Sequence, residues 1–250
     1  MGEASISLSR TPDQYPDHSS HGFPRRPFLW FFGGIVRRIP ALKRAATELF
    51  ENIYYDSSES TWQDMNWFGT FCLKLPTDLW IYQEIISSRK PDLIIETGTW
   101  HGGSALYIAS LLDLIGYGRI VSVDIDARPE RPQHPRIVYL TGSSISPEVI
   151  GQLEPLLKDS ARRMVILDSD HRKSHVDEEL RIYSQYVTRG QYLIVEDTAI
   201  NGHPVAARFG PGPFESVALF LRGRDDFAVD KTKERFMLSA NHNGYLLRCR

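Results

Sequence analysis

From about residue 93 onward, the chain alternates short apolar runs with stretches whose apolar residues recur at helical spacing. Continuous apolar runs predict buried strands, and the amphipathic stretches predict helices that cover them. The predicted strands are 93–95, 119–124, 137–140, 163–168, 192–196, 227–229, 236–238 and 245–248. The predicted helices are 76–86, 104–115, 147–157, 175–186 and 213–221. This alternation predicts an α/β fold with a mostly parallel sheet that is covered on both faces.

The last strands carry a different signal. Asn243-Gly244 is a strong hairpin pair, so we expect short turns and an antiparallel edge there. Upstream, residues 1–22 are polar and predict a disordered tail. Residues 23–75 predict a helical and aromatic arm, with one amphipathic helix after Pro40, and residues 76–250 predict the α/β domain.

The arm contains an apolar cluster, residues 28–36, with basic residues on both sides. The cluster is too short for a transmembrane helix, which needs about 20 residues. A signal peptide or a surface anchor is the alternative interpretation. We favour an arm that packs on the domain or on another subunit, and we expect no membrane contact.

Composition narrows the class of protein. The chain has 250 residues, 42% of them hydrophobic, which is enough for a substantial core. Its formal net charge of -2 gives no reason to expect a nucleic-acid partner. The two cysteines, Cys72 and Cys249, are too few for a disulfide framework or a thiolate zinc site, so we expect a cytoplasmic protein.

The first predicted strand runs into a loop rich in glycine, which begins at Glu96. The spacing of Gly98, Gly102 and Gly103 does not fit the dinucleotide fingerprint, and no P-loop lysine follows. The pattern suits S-adenosylmethionine, whose amino-acid moiety needs a carboxylate or backbone groups and close backbone approach. Glycine permits that approach.

Two further strand ends support the same pocket. Asp124 ends the second strand and is placed to accept hydrogen bonds from ribose hydroxyls, while Asp126 is an alternative or a loop cap. Ser143 follows the third strand and is placed near an adenine edge. The predicted cofactor-binding residues are Glu96, Gly98, Thr99, His101, Gly102, Ser104, Asp124, Asp126, Ser143 and Asp168.

Carboxylates also cluster after the next two parallel strands. Asp168 and Asp170 follow one strand, and Glu196 and Asp197 end the next. Because a hard divalent cation offsets their mutual repulsion, we expect magnesium at this edge. We favour Asp170, Glu196 and Asp197 as ligands, and whether Asp168 or Asp170 is the first ligand stays open.

Several residues near this cluster are candidates for proton transfer. The predicted catalytic residues are Asp168, Asp170 and His171, with His171 or Asp168 as the base that takes the proton of a substrate hydroxyl. His101 is a weaker candidate for the base. His203 is placed to line the substrate mouth. We expect Lys173 and His175 to face solvent on the opening turn of a helix.

Together these motifs resemble the cephalosporin hydroxylase-type family, which includes the cephalosporin-biosynthesis methyltransferase and rhamnosyl O-methyltransferases. The resemblance rests on 96–104, 122–126, 167–171 and 192–198, with further likeness in 75–84, 209–213 and 243–246, and covers about 60–248. It implies a Rossmann-like methyltransferase fold with a mostly parallel seven-stranded sheet and bound magnesium. It also implies a homo-oligomer in which N-terminal segments help bury the contacts between subunits.

The leading hypothesis is therefore a magnesium-dependent, S-adenosylmethionine-dependent O-methyltransferase. Its substrate would be a small glycosylated or polyketide-type molecule, with a sugar hydroxyl such as that of a rhamnosyl group as the acceptor. An iron-dependent oxygenase is one alternative, although we find no two-histidine, one-carboxylate triad. A non-catalytic cofactor-binding protein is the other.

Overall fold

A computed structural model describes residues 27–57 and 61–250. The chain divides into two compact units, Met1–Ala46 and Thr47–Arg250. In the first, helix α1 (Pro27–Val36) is followed by the start of α2 (Pro40–Tyr55), so the helix predicted after Pro40 is confirmed. The predicted disordered tail, 1–22, lies outside the described residues. No helix in the described ranges is long and apolar enough to span a membrane.

The second unit is built on a seven-stranded sheet. Its strands are β3 (Leu93–Thr97), β4 (Arg119–Asp124), β5 (Ile137–Thr141), β6 (Arg163–Leu167), β7 (Tyr192–Val195), β8 (Phe227–Val229) and β9 (Tyr245–Arg248). The spatial order is β5-β4-β3-β6-β7-β9-β8. The first five strands in this order pair in parallel, and β9 runs antiparallel to both neighbours. The predicted Rossmann-like fold and antiparallel edge are confirmed.

Helices cover the sheet on both faces, because the central strands are apolar on both sides. These helices are α3 (Pro76–Arg89), α4 (Gly103–Ile115), α5 (Pro147–Leu157), α6 (Lys173–Tyr183) and α7 (Pro213–Phe220). One core layer includes Leu153 of α5 and Leu180 of α6. The other includes Ile85 of α3 and Ile108 of α4. All five residues of β3 are buried between these layers.

The strand register places the functional loops together. Thr97 at the end of β3 pairs with Val123 of β4 and with Leu167 of β6, and Leu167 pairs with Val195 of β7. Four strands therefore end at nearly the same level. Parallel strands present their following loops at one edge, and that edge is where ligands bind in such folds.

The prediction was wrong in two places near the ends of the domain. Residues 236–238 form no strand, since Met237 has a left-handed φ of +58° and is half exposed. The connection between β8 and β9 is a long segment that includes a 3-10 helix, Lys231–Glu234, and not a short turn. Upstream, a small hairpin, β1 (Asn66–Trp67) and β2 (Thr70–Phe71), lies inside the predicted aromatic arm.

Candidate active site

A cavity of about 870 Å³ opens at the carboxyl ends of the parallel strands. This volume is in the range that small-molecule and cofactor sites occupy. The loop after β3 and the end of β4 form one half of its wall, which we call the donor half. The segments after β6 and β7 form the other half, which we call the acidic half.

Asp124 organises the donor half. Its Oδ2 accepts hydrogen bonds from the backbone nitrogens of Thr99 (2.9 Å) and Trp100 (2.6 Å). The buried guanidinium of Arg131 lies 3.2 Å from the same oxygen, and its Nε donates to the Trp100 carbonyl at 2.8 Å. One carboxylate and one cation thus fix the backbone of the glycine loop. Trp100, with φ +46°, is half exposed and lines the cavity.

Gly98 is required by a close backbone approach. Its φ is +85°, and a Cβ at this position would lie 1.8 Å from the carbonyl oxygen of Asp168. The donor loop therefore touches the first residue of the acidic half, and no side chain fits between them. Gly103, at the start of α4, is similarly tight, because a Cβ there would lie 2.1 Å from the Phe71 carbonyl oxygen of the small hairpin.

The acidic half contains a buried lysine. Lys74 pairs with Asp168, and its Nζ lies 2.7 Å from Oε1 of Glu196. The hydroxyl of Tyr82 donates to the same oxygen of Glu196 at 2.5 Å. Burial raises the pKa of both carboxyls, although Lys74 opposes that effect. The two carboxylates hold the pKa of Lys74 well above its usual value, so the lysine is a permanent cation.

Asp170 has a different environment. It forms a bidentate ion pair with Arg172, whose side chain is 77% exposed. The guanidinium lowers the pKa of Asp170 to about 2. Exposed ion pairs contribute about 0–1 kcal/mol, so this pairing is easily exchanged for another cation.

Three ligand-type side chains converge at the centre of the acidic half. One atom each from Asp168, His171 and Asp197 lie within 4.8 Å of one another. The Nε2 of His171 is 3.2 Å from Oδ2 of Asp197. Asp170 and Glu196, the other predicted ligands, also line the cavity but are paired with Arg172 and Lys74. The set that the structure brings together therefore shares only Asp197 with the predicted Asp170, Glu196 and Asp197.

The loops after β5 and β6 are joined by a buried carboxylate on α6. Oε1 of Glu179 accepts hydrogen bonds from the hydroxyls of Ser144 (2.6 Å) and Ser169 (2.7 Å). His175 lies 3.0 Å from the Ser144 hydroxyl, and Glu179 raises its pKa. His175 lines the cavity, so the expectation that it faces solvent was wrong. Lys173 pairs with Asp177 at 2.5 Å and is half-buried.

Six of the predicted cofactor-binding residues lie on the cavity wall. They are Gly98, Thr99, Ser104, Asp124, Ser143 and Asp168. The other four do not line the cavity, and their role in cofactor binding stays a prediction. Glu96 is fully buried and accepts from the Ser122 hydroxyl at 2.6 Å. The remaining three are His101, which packs against Trp100, Gly102, which packs against Pro132, and Asp126, which lies near Arg128.

His203 does not line the cavity. Its Nε2 lies 2.9 Å from Oε1 of Glu215, and its ring stacks on Phe214 at 3.7 Å. Glu215 also accepts from Asn201 and from the backbone of Gly212, so this histidine helps fix the loop after β7 to the start of α7. The prediction of a residue at the substrate mouth is corrected to one that holds a loop.

Sequence reasoning missed Lys74 and Arg131. Lys74 carried a usable signal, since it is a lone charge in the apolar run Phe71-Cys72-Leu73-Lys74-Leu75 before a helix. A charge in such a run is buried only with a partner, but the partner is 94 residues away. Arg131 lies in a polar loop among other charged residues, and nothing in its surroundings marks it as buried.

A parallel sheet with a glycine loop, a carboxylate at the end of β4 and an acidic edge defines a Rossmann-like methyltransferase. The model of the family described as Rhamnosyl O-methyltransferase/CmcI matches residues 59–249. The protein belongs to this family, which confirms the resemblance drawn from the motifs.

Relatives and solved structures agree with this assignment. The chain is 34% identical to the rhamnosyl O-methyltransferase of Mycobacterium tuberculosis (strain ATCC 25618 / H37Rv) over 82% of this chain and 85% of that protein. It is 36% identical to the rhamnosyl O-methyltransferase of Mycobacterium leprae (strain TN), over 80% of this chain and 90% of that protein. An apo structure of CmcI superposes with a TM-score of 0.59 at 22% identity, covering 78% and 80%. A structure of CmcI with Mg and SAM superposes with a TM-score of 0.59 at 21% sequence identity, covering 78% of this chain and 81% of that chain. It supports the same fold.

Proposed function

We propose that the protein is a magnesium-dependent O-methyltransferase that transfers the methyl group of S-adenosylmethionine to a hydroxyl of a rhamnosyl or related sugar. The observation that carries the proposal is that the donor half and the acidic half line one cavity. The two halves meet where Gly98 contacts the backbone carbonyl of Asp168. A methyl donor and an oxygen acceptor bound there would therefore be adjacent.

The donor half fits the cofactor. Asp124 is at the strand end where ribose hydroxyls are bound in such folds, and it lines the cavity. Gly98 and Thr99 offer a close backbone surface for the amino-acid moiety. Ser143 is placed for the adenine, on a loop whose neighbour Ser144 is fixed by Glu179. When bound, the cofactor supplies the methyl group.

The acidic half fits a hard divalent cation, because its donors are carboxylate oxygens with a single imidazole. Two ligand sets are candidates, the one that the structure brings together and the one predicted from the sequence, and Asp197 belongs to both. In the first, Asp168 and His171 complete the set with little movement. In the second set, Asp170 would leave its ion pair with Arg172 to bind the cation. Glu196 would bind the same cation while it stays paired with Lys74. A bound cation would lower the pKa of the acceptor hydroxyl.

The ligand set is decided by magnesium affinity, measured by calorimetry on single variants. If Asp170, Glu196 and Asp197 hold the ion, Asp170→Asn weakens magnesium binding and Asp168→Asn does not. If Asp168, His171 and Asp197 hold it, the two results are reversed. Asp197→Asn weakens binding in both cases, and Asp177→Asn is the matched control, since Asp177 pairs with Lys173 on α6 and does not line the cavity.

The protein's own groups would position the acceptor and receive its proton. His171 is held by Asp197 at 3.2 Å, a carboxylate–histidine pair that orients the ring toward the cavity. Asp168 is the second candidate base, fixed by Lys74. If His171 is the base, His171→Gln lowers kcat with little effect on KM for the cofactor.

Three proposals accompany this function. The substrate is a small glycosylated molecule, as the names of the mycobacterial relatives suggest. A cytoplasmic location is supported by two free thiols, Cys72 and Cys249. A homo-oligomer is supported by exposed apolar side chains on α2, among them Leu49, Phe50 and Ile53. Light scattering on the purified protein tests the oligomer.

The function is tested by incubating the protein with labelled S-adenosylmethionine, magnesium and a panel of rhamnosylated and other glycosylated metabolites. Mass spectrometry should find one added methyl group on a sugar oxygen, and Asp177→Asn should match the wild type. Asp197→Asn should lower turnover at least a hundredfold. The proposal fails if calorimetry detects neither S-adenosylmethionine nor S-adenosylhomocysteine binding, or if turnover requires iron and oxygen.

A further inference from the structure

Helix α1 presents an apolar and aromatic surface to solvent. It is ten residues long and contains no charged side chain. Trp30 is 82% exposed, and Phe28, Phe31 and Phe32 are also exposed. A monomeric protein seldom leaves so many aromatic rings together in water, so this surface has a partner.

Basic residues follow the apolar helix directly. Arg37 and Arg38 come at its C-terminal end, and Lys43 and Arg44 lie in the opening turns of α2; all four are exposed. Among the described residues, none of the four pairs with a carboxylate. In the sequence, residues 18–47 contain six Lys and Arg residues and no Asp or Glu, although the whole chain has a net charge of -2.

In place of the arm without membrane contact that the sequence favoured, we propose that α1 and the basic residues after it form an interfacial anchor for an anionic lipid surface. Exposed aromatic rings beside unpaired arginine and lysine are the composition of helices that lie in the headgroup region of a bilayer. Ten helical residues extend about 15 Å, half the thickness of the hydrocarbon layer, so the helix lies in the interface and does not cross it.

Charge distinguishes this partner from a second copy of the chain. A symmetric contact through α1 would place the basic residues of both copies close together, with no carboxylate from this segment to neutralise them. Anionic headgroups neutralise them at the same time as the acyl region receives the aromatic rings. The inference does not rest on the proposed function, because it uses only residues of the first compact unit.

The test is co-sedimentation of the full chain with vesicles of phosphatidylcholine alone and with added phosphatidylglycerol. Binding should require phosphatidylglycerol and should weaken as salt is raised. The double variant Arg37→Glu, Arg38→Glu should lower the partition coefficient about thirtyfold or more, since each basic residue near such a surface contributes about 1 kcal/mol. Trp30→Ser with Phe31→Ser should lower it about a hundredfold or more.

Matched controls carry the same changes elsewhere. Lys158→Glu with Arg222→Glu reverses two exposed charges, and Leu114→Ser removes an exposed apolar side chain; these variants should bind as the wild type does. Unchanged S-adenosylhomocysteine affinity confirms that each variant is folded. The proposal is overturned if the wild type does not bind phosphatidylglycerol vesicles or if the α1 variants bind equally well. It is also overturned if those variants only dissociate an oligomer.

Discussion

The donor half and the acidic half of the cavity are built in different ways. In the donor half, Asp124 holds the loop of Thr99 and Trp100 through backbone hydrogen bonds, between neighbouring strands. In the acidic half, Asp168 and Glu196 are fixed by Lys74, which comes from before α3. One half is organised by local backbone geometry, and the other by a buried charge from a distant part of the chain.

This difference explains how much of the site the sequence could predict. The order of strands and the donor loop follow from apolar runs and from glycine spacing, which are local patterns. Asp124 was recognisable because it ends a strand. The partner of Asp168 and Glu196 depends on a tertiary contact, so these carboxylates were identified but their pairing with Lys74 was not. The pairing of Asp170 with Arg172 is local, and the sequence already offered Arg172 as a partner.

The errors in the predicted fold also come from features that only the folded chain shows. Residues 236–238 have the apolar character of a strand, but Met237 adopts a left-handed conformation and no neighbouring strand pairs with this segment in the described sheet. His203 lies away from the cavity because it pairs with Glu215. His175 lines the cavity because it pairs with Glu179. Neither carboxylate could be assigned to a histidine before the helices were placed on the sheet.

The largest effect is expected at the contact between the two halves. Gly98→Ala places a Cβ 1.8 Å from the Asp168 carbonyl, so the loop must move. We expect a loss of unfolding free energy of about 3 kcal/mol or more and no detectable S-adenosylhomocysteine binding by calorimetry. Gly151→Ala, in open space on α5, is the control: it should leave S-adenosylhomocysteine binding unchanged and should not lower stability, since alanine is favoured over glycine inside a helix by up to about 1 kcal/mol. Normal binding by Gly98→Ala would show that the halves are not in contact.

Lys74→Met tests the distant charge. It leaves Asp168 and Glu196 buried without a cation, and we expect about 3–5 kcal/mol less stability in urea unfolding. Adding Glu196→Gln should recover part of this loss, because it removes one of the two uncompensated charges. If the single and double variants are equally destabilised, the lysine does not act through Glu196.

Arg131→Gln tests the donor half alone. Without the guanidinium, Asp124 loses its ion pair and the Trp100 carbonyl loses a hydrogen bond, so the glycine loop is held less firmly. We therefore expect the Kd for S-adenosylhomocysteine to rise about tenfold or more. Magnesium affinity should not change. Arg128→Gln, in the same loop, provides the comparison and should bind both ligands normally. A parallel loss of magnesium binding in Arg131→Gln would contradict the separation of the two halves.

His242→Gln tests the support of the acidic half. Burial lowers the pKa of His242, but Glu51 and Glu234 flank the ring and raise that pKa to about 9, with Asp78 nearby. The neighbouring Asn241 accepts a hydrogen bond from the backbone nitrogen of Asp197 through its Oδ1. Because the folded-state pKa is raised, this stabilisation is complete below pH 6.5 and disappears as the pH rises through 9.

We therefore expect His242→Gln to be about 1–2 kcal/mol less stable than the wild type at pH 6 and equally stable near pH 10. Urea unfolding across this range measures the difference. A stability difference that stays constant with pH would mean that the charge of His242 does not contribute.

The central claim is that the donor half binds the cofactor and the acidic half binds the cation. Calorimetry on Asp124→Asn and Asp197→Asn, titrated separately with S-adenosylhomocysteine and with magnesium, tests it most directly. The account predicts that Asp124→Asn loses S-adenosylhomocysteine affinity at least tenfold and keeps magnesium affinity, and that Asp197→Asn does the reverse. If either variant loses both ligands, or if Asp197→Asn binds magnesium as the wild type does, the account is contradicted.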